Sequence, residues 1–128
     1  MALTLTIVKP DAVRAGNTGN ILAHLEKEGF TIRGVRKLRL SEDQAKAFYA
    51  VHAERPFYGE LVEFMTSGPV VPVALEREDA VPYLREVMGA TNSKEAAEGT
   101  IRNLYGTDIG ENAIHGSDSE ENAAIELA

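Results

Sequence analysis

Leu3-Thr4-Leu5-Thr6-Ile7-Val8-Lys9-Pro10-Asp11 sets the pattern that the rest of the chain follows. Leu3, Leu5 and Ile7 alternate with Thr4, Thr6 and Val8, so the period is two and both faces favour extended backbone. The stretch reads as a strand, and Lys9-Pro10-Asp11 ends it. From Thr18, a capping residue type, Ile21, Leu22 and Leu25 recur at helical spacing until Gly29 closes a helix. A second strand follows over Phe30 to Leu40, with Phe30 and Ile32 on one face. Its alternation slips through Gly34 and Val35, which predicts a bulge there.

The alternation of strand and helix then repeats. Ser41-Glu42-Asp43-Gln44 has the form of a capping box and opens a helix carrying Ala45, Phe48 and Tyr49, reaching toward His52. Arg55-Pro56-Phe57 breaks it, and Leu61, Val62, Phe64 and Met65 predict a short second helix. After the Ser67-Gly68-Pro69 turn, Val70 to Leu75 reads as a central strand, with Pro72 marking an edge or an irregularity. Asp79 caps a helix bearing Val81, Leu84, Val87 and Met88, ended by Gly89. Residues 90–112 are the least regular stretch, with one apolar knot at Ile101, Leu104 and Tyr105, as in a functional loop or a disordered one. Ala113 and Ile114 make a last short strand, and Ser119 to Ala128 a last helix. The sum is an α/β sandwich of roughly four strands, one domain over residues 1–128. Glu126-Leu127-Ala128 carries no helix-stop signal, so the C-terminal tail reads as short or truncated.

Bulk properties narrow the function classes. A chain of 128 residues buries roughly two thirds of its extended surface in one core. It contains no cysteine, which excludes disulfides, thiolate metal sites and a Cys nucleophile. No apolar run approaches the ~18 residues of a membrane span, and the start lacks a signal-peptide pattern, so no membrane association is expected and the cytoplasm is the default. The net charge of −7 makes the chain a poor binder of nucleic-acid backbones. A small polyanion remains open if a few cations converge, with Lys9, Arg55, Arg85 and Arg102 as candidates.

The chemistry concentrates at Asn112-Ala113-Ile114-His115-Gly116-Ser117-Asp118-Ser119. An apolar run delivers an imidazole, glycine lets the backbone turn and a ligand come close, and three good N-cap residues follow. The N–H groups and dipole of a helix start favour an anion. A nucleophilic ring beside an anion site is what phosphoryl transfer to a side chain requires. The same octapeptide also reads as a strand, a turn and a capped helix with a histidine between them. Other positions have equally ordinary readings. Lys9 can be a solvated lysine before a turn, Phe57 and Tyr58 core packing or a shelf for a base, and Arg85 an exposed helical arginine. His24 and His52 lie on helices without a partner pattern. No His/Asp/Glu cluster has the spacing of a dedicated metal site.

Taken in order, however, six segments are similar to the nucleoside diphosphate kinase family. They are Ile7-Val8-Lys9-Pro10-Asp11, Arg55-Pro56-Phe57, Glu63 to Val71, Met88-Gly89-Ala90-Thr91-Asn92, Gly99-Thr100-Ile101-Arg102 and Asn112 to Ser119. The resemblance spans nearly the whole chain. It implies a ferredoxin-like α/β sandwich with a four-stranded, largely antiparallel sheet covered by helices. It also implies ping-pong transfer of the γ-phosphate of a nucleoside triphosphate to a nucleoside diphosphate through a phosphohistidine at His115. On that analogy Lys9, Tyr49, Arg85, Thr91 and Arg102 line the phosphate site, and Asn112 helps hold the ribose. Phe57 and Leu61 pack on the base, and Ser117 and Glu126 support the histidine. The resemblance further implies Mg²⁺ held mainly by nucleotide phosphates, with no protein metal ligands, and a homo-oligomer, a tetramer or hexamer. A catalytically silent nucleotide-binding module of the same fold is the alternative.

General chemistry fits that assignment. A reference imidazole is roughly three quarters neutral at pH 7, so a lone pair is available. Stacking on Phe57 would tolerate any base. Three departures from the family pattern stand out. Ala2-Leu3-Thr4 replaces a Glu-Arg-Thr start, Asn103-Leu104 follows Arg102 where a small and an acidic residue are usual, and an aromatic-rich tail does not follow Ala128. The second puts loop packing and subunit contacts in question.

Overall fold

Strand β1 (Ala2–Val8) is alternately apolar and threonine because it is an interior strand covered on both faces. The computed structural model describes residues 2–50, 54, 56, 58–107 and 112–117, and the expected features at His52, Arg55, Phe57, Asp118, Ser119 and Glu126 lie outside them. With β2 (Thr31–Val35), β3 (Val71–Arg77) and β4 (Ile114–Gly116), β1 forms one sheet in the order β2-β3-β1-β4, every pair antiparallel. Helices α1 (Pro10–Arg14), α2 (Thr18–Lys27), α3 (Glu42–Phe48), α4 (Tyr58–Met65), α5 (Ala80–Met88) and α6 (Ile101–Tyr105) complete the chain order. On one face Leu5 and Ile7 pack with Tyr49, Met65 and Val70, sealed by Phe48, Leu61 and Phe64 of α3 and α4. On the other, Val8, Val71, Val73 and Leu75 pack against Ile21 and Leu25 of α2 and Leu84 and Met88 of α5. This is the expected four-stranded antiparallel sandwich.

Several local expectations are met in detail. Ser41 and Gln44 make both bonds of the capping box, at 2.9 and 3.1 Å. The ladder between β2 and β3 shifts register between Ile32 and Gly34, one position before the Gly34–Val35 slip where the bulge was expected. That bulge also shortens β2. It ends at Val35 instead of reaching Leu40, and only the Leu38–Val70 bridge continues the pairing. Pro72 sits in an interior strand at this irregular end. Its carbonyl accepts from the Arg36 amide, so the strand keeps one bond at this position, and the proline lacks only the N–H that would have been the return donor.

Other expectations are corrected. Lys9-Pro10-Asp11 does not merely stop β1: Pro10 starts α1, because the fixed φ of proline suits a first helical turn. Asn17, not Thr18, occupies the N-cap of α2. Asp79 does precede α5, but with left-handed φ of 52° and no side-chain cap bond. The irregular stretch holds a 3-10 turn at Ser93–Glu95 and the short α6, capped by Thr100. Within its apolar knot Ile101 is buried while Leu104 is exposed. The Asn103 side chain donates to the Ala96 carbonyl and accepts from the Gly99 amide, both at 3.3 Å, so it ties this loop together. Ala113 belongs not to β4 but to a turn before it. No helix among the described residues is long and apolar enough to cross a membrane.

Gly116 was expected to let a ligand approach. It lies instead within β4, opposite Thr6, under α5. A Cβ there would stand 2.7 Å from Met88 Cε and 3.0 Å from Leu84 Cδ2, and both side chains are fully packed. The glycine therefore serves helix-on-sheet packing. Gly116→Ala should cost about 1–3 kcal/mol by overpacking, measured by chemical denaturation. An unchanged midpoint would refute this role.

Candidate active site

The site is assembled where β1 and β4 end. The antiparallel ladder pairs Thr6 with Gly116, Ile7 with His115 and Val8 with Ile114. One further bond, from the Lys9 amide to the Ala113 carbonyl at 2.8 Å, carries it past the strand ends. Paired residues share a face, so the His115 ring lies on the Ile7 side, under α3. There Phe48 meets it edge-on at 5.3 Å and Tyr49 at 6.0 Å between ring centroids. The ring is half-buried: held by aromatic edges on the protein side, yet reachable from solvent.

The segment delivering His115 is strained. Ala113 has φ of 74°, and the Ile114 amide donates back to the Asn112 carbonyl at 2.9 Å, the bond of a γ-turn with positive central φ. Such a residue costs about 1–3 kcal/mol and persists only where its surroundings over-determine it. Here they do. The Ala113 N–H donates to Asp11 Oδ2 at 3.1 Å, while its carbonyl takes the Lys9 amide. The peptide planes on both sides of the strained torsion are thus pinned by the start of α1.

Two cations are buried beside this turn. Lys9 Nζ donates to Asn112 Oδ1 at 2.8 Å, and Asn112 Nδ2 donates to the Thr91 carbonyl at 2.9 Å. Arg102 donates from Nη1 to the Gly89 carbonyl at 3.1 Å and from Nη2 to the Ile114 carbonyl at 2.9 Å. Its Nε lies buried without a hydrogen-bond partner. Burial, then the neighbouring Arg102 charge, pulls the Lys9 ammonium from the usual 10.5 down to about 8, although Asp11 opposes this. Burial, then Arg85, brings Arg102 down to about 10. Burial also raises the Asp11 carboxyl, against the Ala113 N–H and Lys9, which lower it. Desolvated like charges held together are relieved by an anion, and they need no reorganisation when one arrives.

The depressed Lys9 value has two pH consequences of opposite sign. Anion binding needs the ammonium, so affinity for a phosphate-bearing anion should fall as pH rises through about 8, approaching tenfold per pH unit above it. Folding stability moves the other way. Between about 8 and 10.5 the unfolded chain holds a proton that the folded one has lost, so this group's contribution rises with pH across that window. Calorimetric titration of ADP from pH 7 to 9.5 checks the first; a flat profile contradicts it.

Most of the residues expected at the site converge. Lys9, Asn112, Arg102, Tyr49 and His115 cluster as described, and Arg85, exposed on α5, is near enough to act on Arg102. Thr91 contributes its backbone carbonyl to Asn112, and its side chain is exposed. Asn112, expected to help hold the ribose, is buried beside Lys9, its Oδ1 accepting from Lys9 Nζ and its Nδ2 donating to the Thr91 carbonyl, which leaves one further lone pair and one N–H on the amide. Leu61 is half-buried against the Leu5–Ile7 face. Ser117 is fully buried, with its amide donating to the Leu5 carbonyl at 3.1 Å and its hydroxyl 3.5 Å from the same oxygen. Phe57 and Glu126 lie outside the described residues. Sequence reasoning missed Asp11, Phe48, Gly89 and Thr6. Asp11 and Gly89 carried a signal, as members of Lys9-Pro10-Asp11 and Met88-Gly89-Ala90-Thr91-Asn92. Among the described residues no group of His, Asp or Glu could hold a metal ion. Surface hollows of about 270 and 380 Å³ lie near Tyr83 and Tyr105, and neither is lined by His115.

Comparison with known proteins agrees with this geometry. The family model described as nucleoside diphosphate kinase matches residues 2–128. A nucleoside diphosphate kinase of Methylobacterium sp. (strain 4-46) is 61% identical over 125 residues, covering 98% of this chain and 89% of the relative. The solved nucleoside diphosphate kinase of Aquifex aeolicus superposes with a TM-score of 0.97 at 51% identity, covering 98% of this chain and 92% of that one. A halophilic nucleoside diphosphate kinase from Halobacterium salinarum, solved in complex with CDP, gives 0.93 at 43% identity, covering 98% and 84%. A family match over nearly the full length, with relatives this similar, leaves one conclusion: the chain belongs to the nucleoside diphosphate kinase family of phosphotransferases.

Proposed function

We propose that His115 carries the phosphoryl group in a double-displacement exchange between nucleotides. The observation that supports this most is the half-buried imidazole at the end of a strained, fully pinned turn beside two buried cations. In the first half-reaction a ring-nitrogen lone pair forms a bond to the γ-phosphorus. The bond from that phosphorus to the β–γ bridging oxygen breaks, and the nucleoside diphosphate leaves with the electron pair. In the second, a terminal oxygen of another diphosphate attacks the same phosphorus and the nitrogen recovers its lone pair. No net proton changes hands. Lys9 and Arg102 stabilise charge spread over the transferring group, aided by Arg85. Tyr49 and Phe48 hold the ring edge-on, and Asn112 holds Lys9.

Phe57 and Leu61 are assigned to the base, Thr91 to the phosphate side, and Ser117 and Glu126 to support of the histidine. The cationic donor set suits phosphate oxygens, so Mg²⁺ fits as a partner of the nucleotide, where it neutralises phosphate charge. The site's residues then bind and orient that complex. The family resemblance assigns a homo-oligomer, a tetramer or hexamer, and the β2 edge carrying exposed Val35 offers a place for a second copy to pair. The cytoplasm is the assigned compartment. Initial rates with ATP against a diphosphate of another base test the reading. Parallel double-reciprocal lines are expected. Intersecting lines would overturn it, and nucleotide binding without exchange would favour the catalytically silent module.

A further inference from the structure

The carbonyls of the turn and of His115 all accept from fixed donors. Asn112 O takes the Ile114 amide, Ala113 O takes the Lys9 amide, and Ile114 O takes Arg102 Nη2 at 2.9 Å. His115 O takes the Thr6 hydroxyl at 2.6 Å, in addition to the ladder that pairs His115 with Ile7. The first three donors are backbone or belong to the phosphate site. Thr6 does not: it is a fully buried β1 residue on the opposite face of the sheet from the imidazole. Gly116 lies directly across from it, so no side chain competes for its hydroxyl. The bond is short, partly buried and made to the very residue whose ring must be aimed.

Resting on the assignment of His115 as nucleophile, we propose that Thr6 is a positioning residue for the reaction. Its hydroxyl holds the His115 carbonyl and so sets the rotation of β4, an edge strand of three residues with a partner on one side only. Between the pinned turn before the imidazole and Thr6 at its own carbonyl, the ring has one aim.

Two substitutions separate this from mere packing. Thr6→Val keeps the shape and removes the hydroxyl; Thr6→Ser keeps the hydroxyl and removes a buried methyl. Positioning predicts that Thr6→Val lowers kcat roughly tenfold with KM within about twofold, and that Thr6→Ser stays within about twofold of the parent despite a lower thermal midpoint. Packing alone predicts the reverse order, with valine tolerated and serine damaging. Equal, near-parental kcat in both variants overturns the proposal, as does a serine variant as slow as the valine one. The parent chain incubated with labelled ATP is run alongside. A label that fails to appear on His115 sinks the nucleophile assignment and this inference together, whereas a labelled parent with a fully active Thr6→Val sinks only this inference.

Discussion

His115→Ala is expected to lower phosphate exchange by roughly four orders of magnitude or more, because it removes the atom that carries the group between nucleotides. The same variant should still bind ADP within about threefold. Lys9 and Arg102, the desolvated cations that attract the diphosphate, are held by the Asn112 side chain and by the Gly89 and Ile114 carbonyls. Folding should survive. The ring is half-buried, and its removal exposes edges of Phe48 and Tyr49 at a cost of about 1 kcal/mol. Steady-state exchange together with calorimetric ADP binding checks both halves. Residual exchange above about one per cent of the parent would mean that another group carries the phosphate.

Arg102→Lys should be nearly as informative, because it keeps the charge and loses the fork. The guanidinium donates through two different nitrogens to carbonyls on separate segments, Gly89 after α5 and Ile114 before His115. A lysine ammonium cannot reach both with the same geometry. One or both carbonyls then lie buried and unpaired, at about 1–3 kcal/mol each, and the strand bearing His115 loses an anchor. We expect kcat/KM for ATP to fall about 10²–10³-fold, with unfolding free energy lower by about 2–3 kcal/mol. Full activity in Arg102→Lys would show that charge alone matters and that the fork has no mechanical part.

The coarse architecture was legible from local periodicity. Thr4, Thr6 and Val8 alternating with Leu5 and Ile7 read as a strand with both faces favouring extended backbone, and the Ser41–Gln44 box specifies a helix start with both bonds formed. What escaped was set by contacts distant in sequence. Gly116 reads as a turn residue until Met88 and Leu84 of α5 are placed over it. Asp11 reads as a turn carboxylate until the Ala113 N–H, about a hundred residues on, is found donating to it. Asn112 beside an apolar run gives no hint that its amide bridges Lys9 and Thr91. Likewise nothing in the sequence singles out Arg77. It lies 3.7 Å over the Tyr83 ring and donates to the Glu28 carbonyl, fastening the end of α2 to β3 and α5. Lys9, Arg102 and His115 could be nominated from motif order, but their convergence needed the β1–β4 register.

The most direct test is to incubate the purified chain with γ-labelled ATP and no acceptor, then map the label by peptide mass. A single acid-labile, base-stable phosphoryl group on His115, discharged completely by added diphosphate, is the predicted result. A label on any other residue, or none while exchange proceeds, would contradict the account.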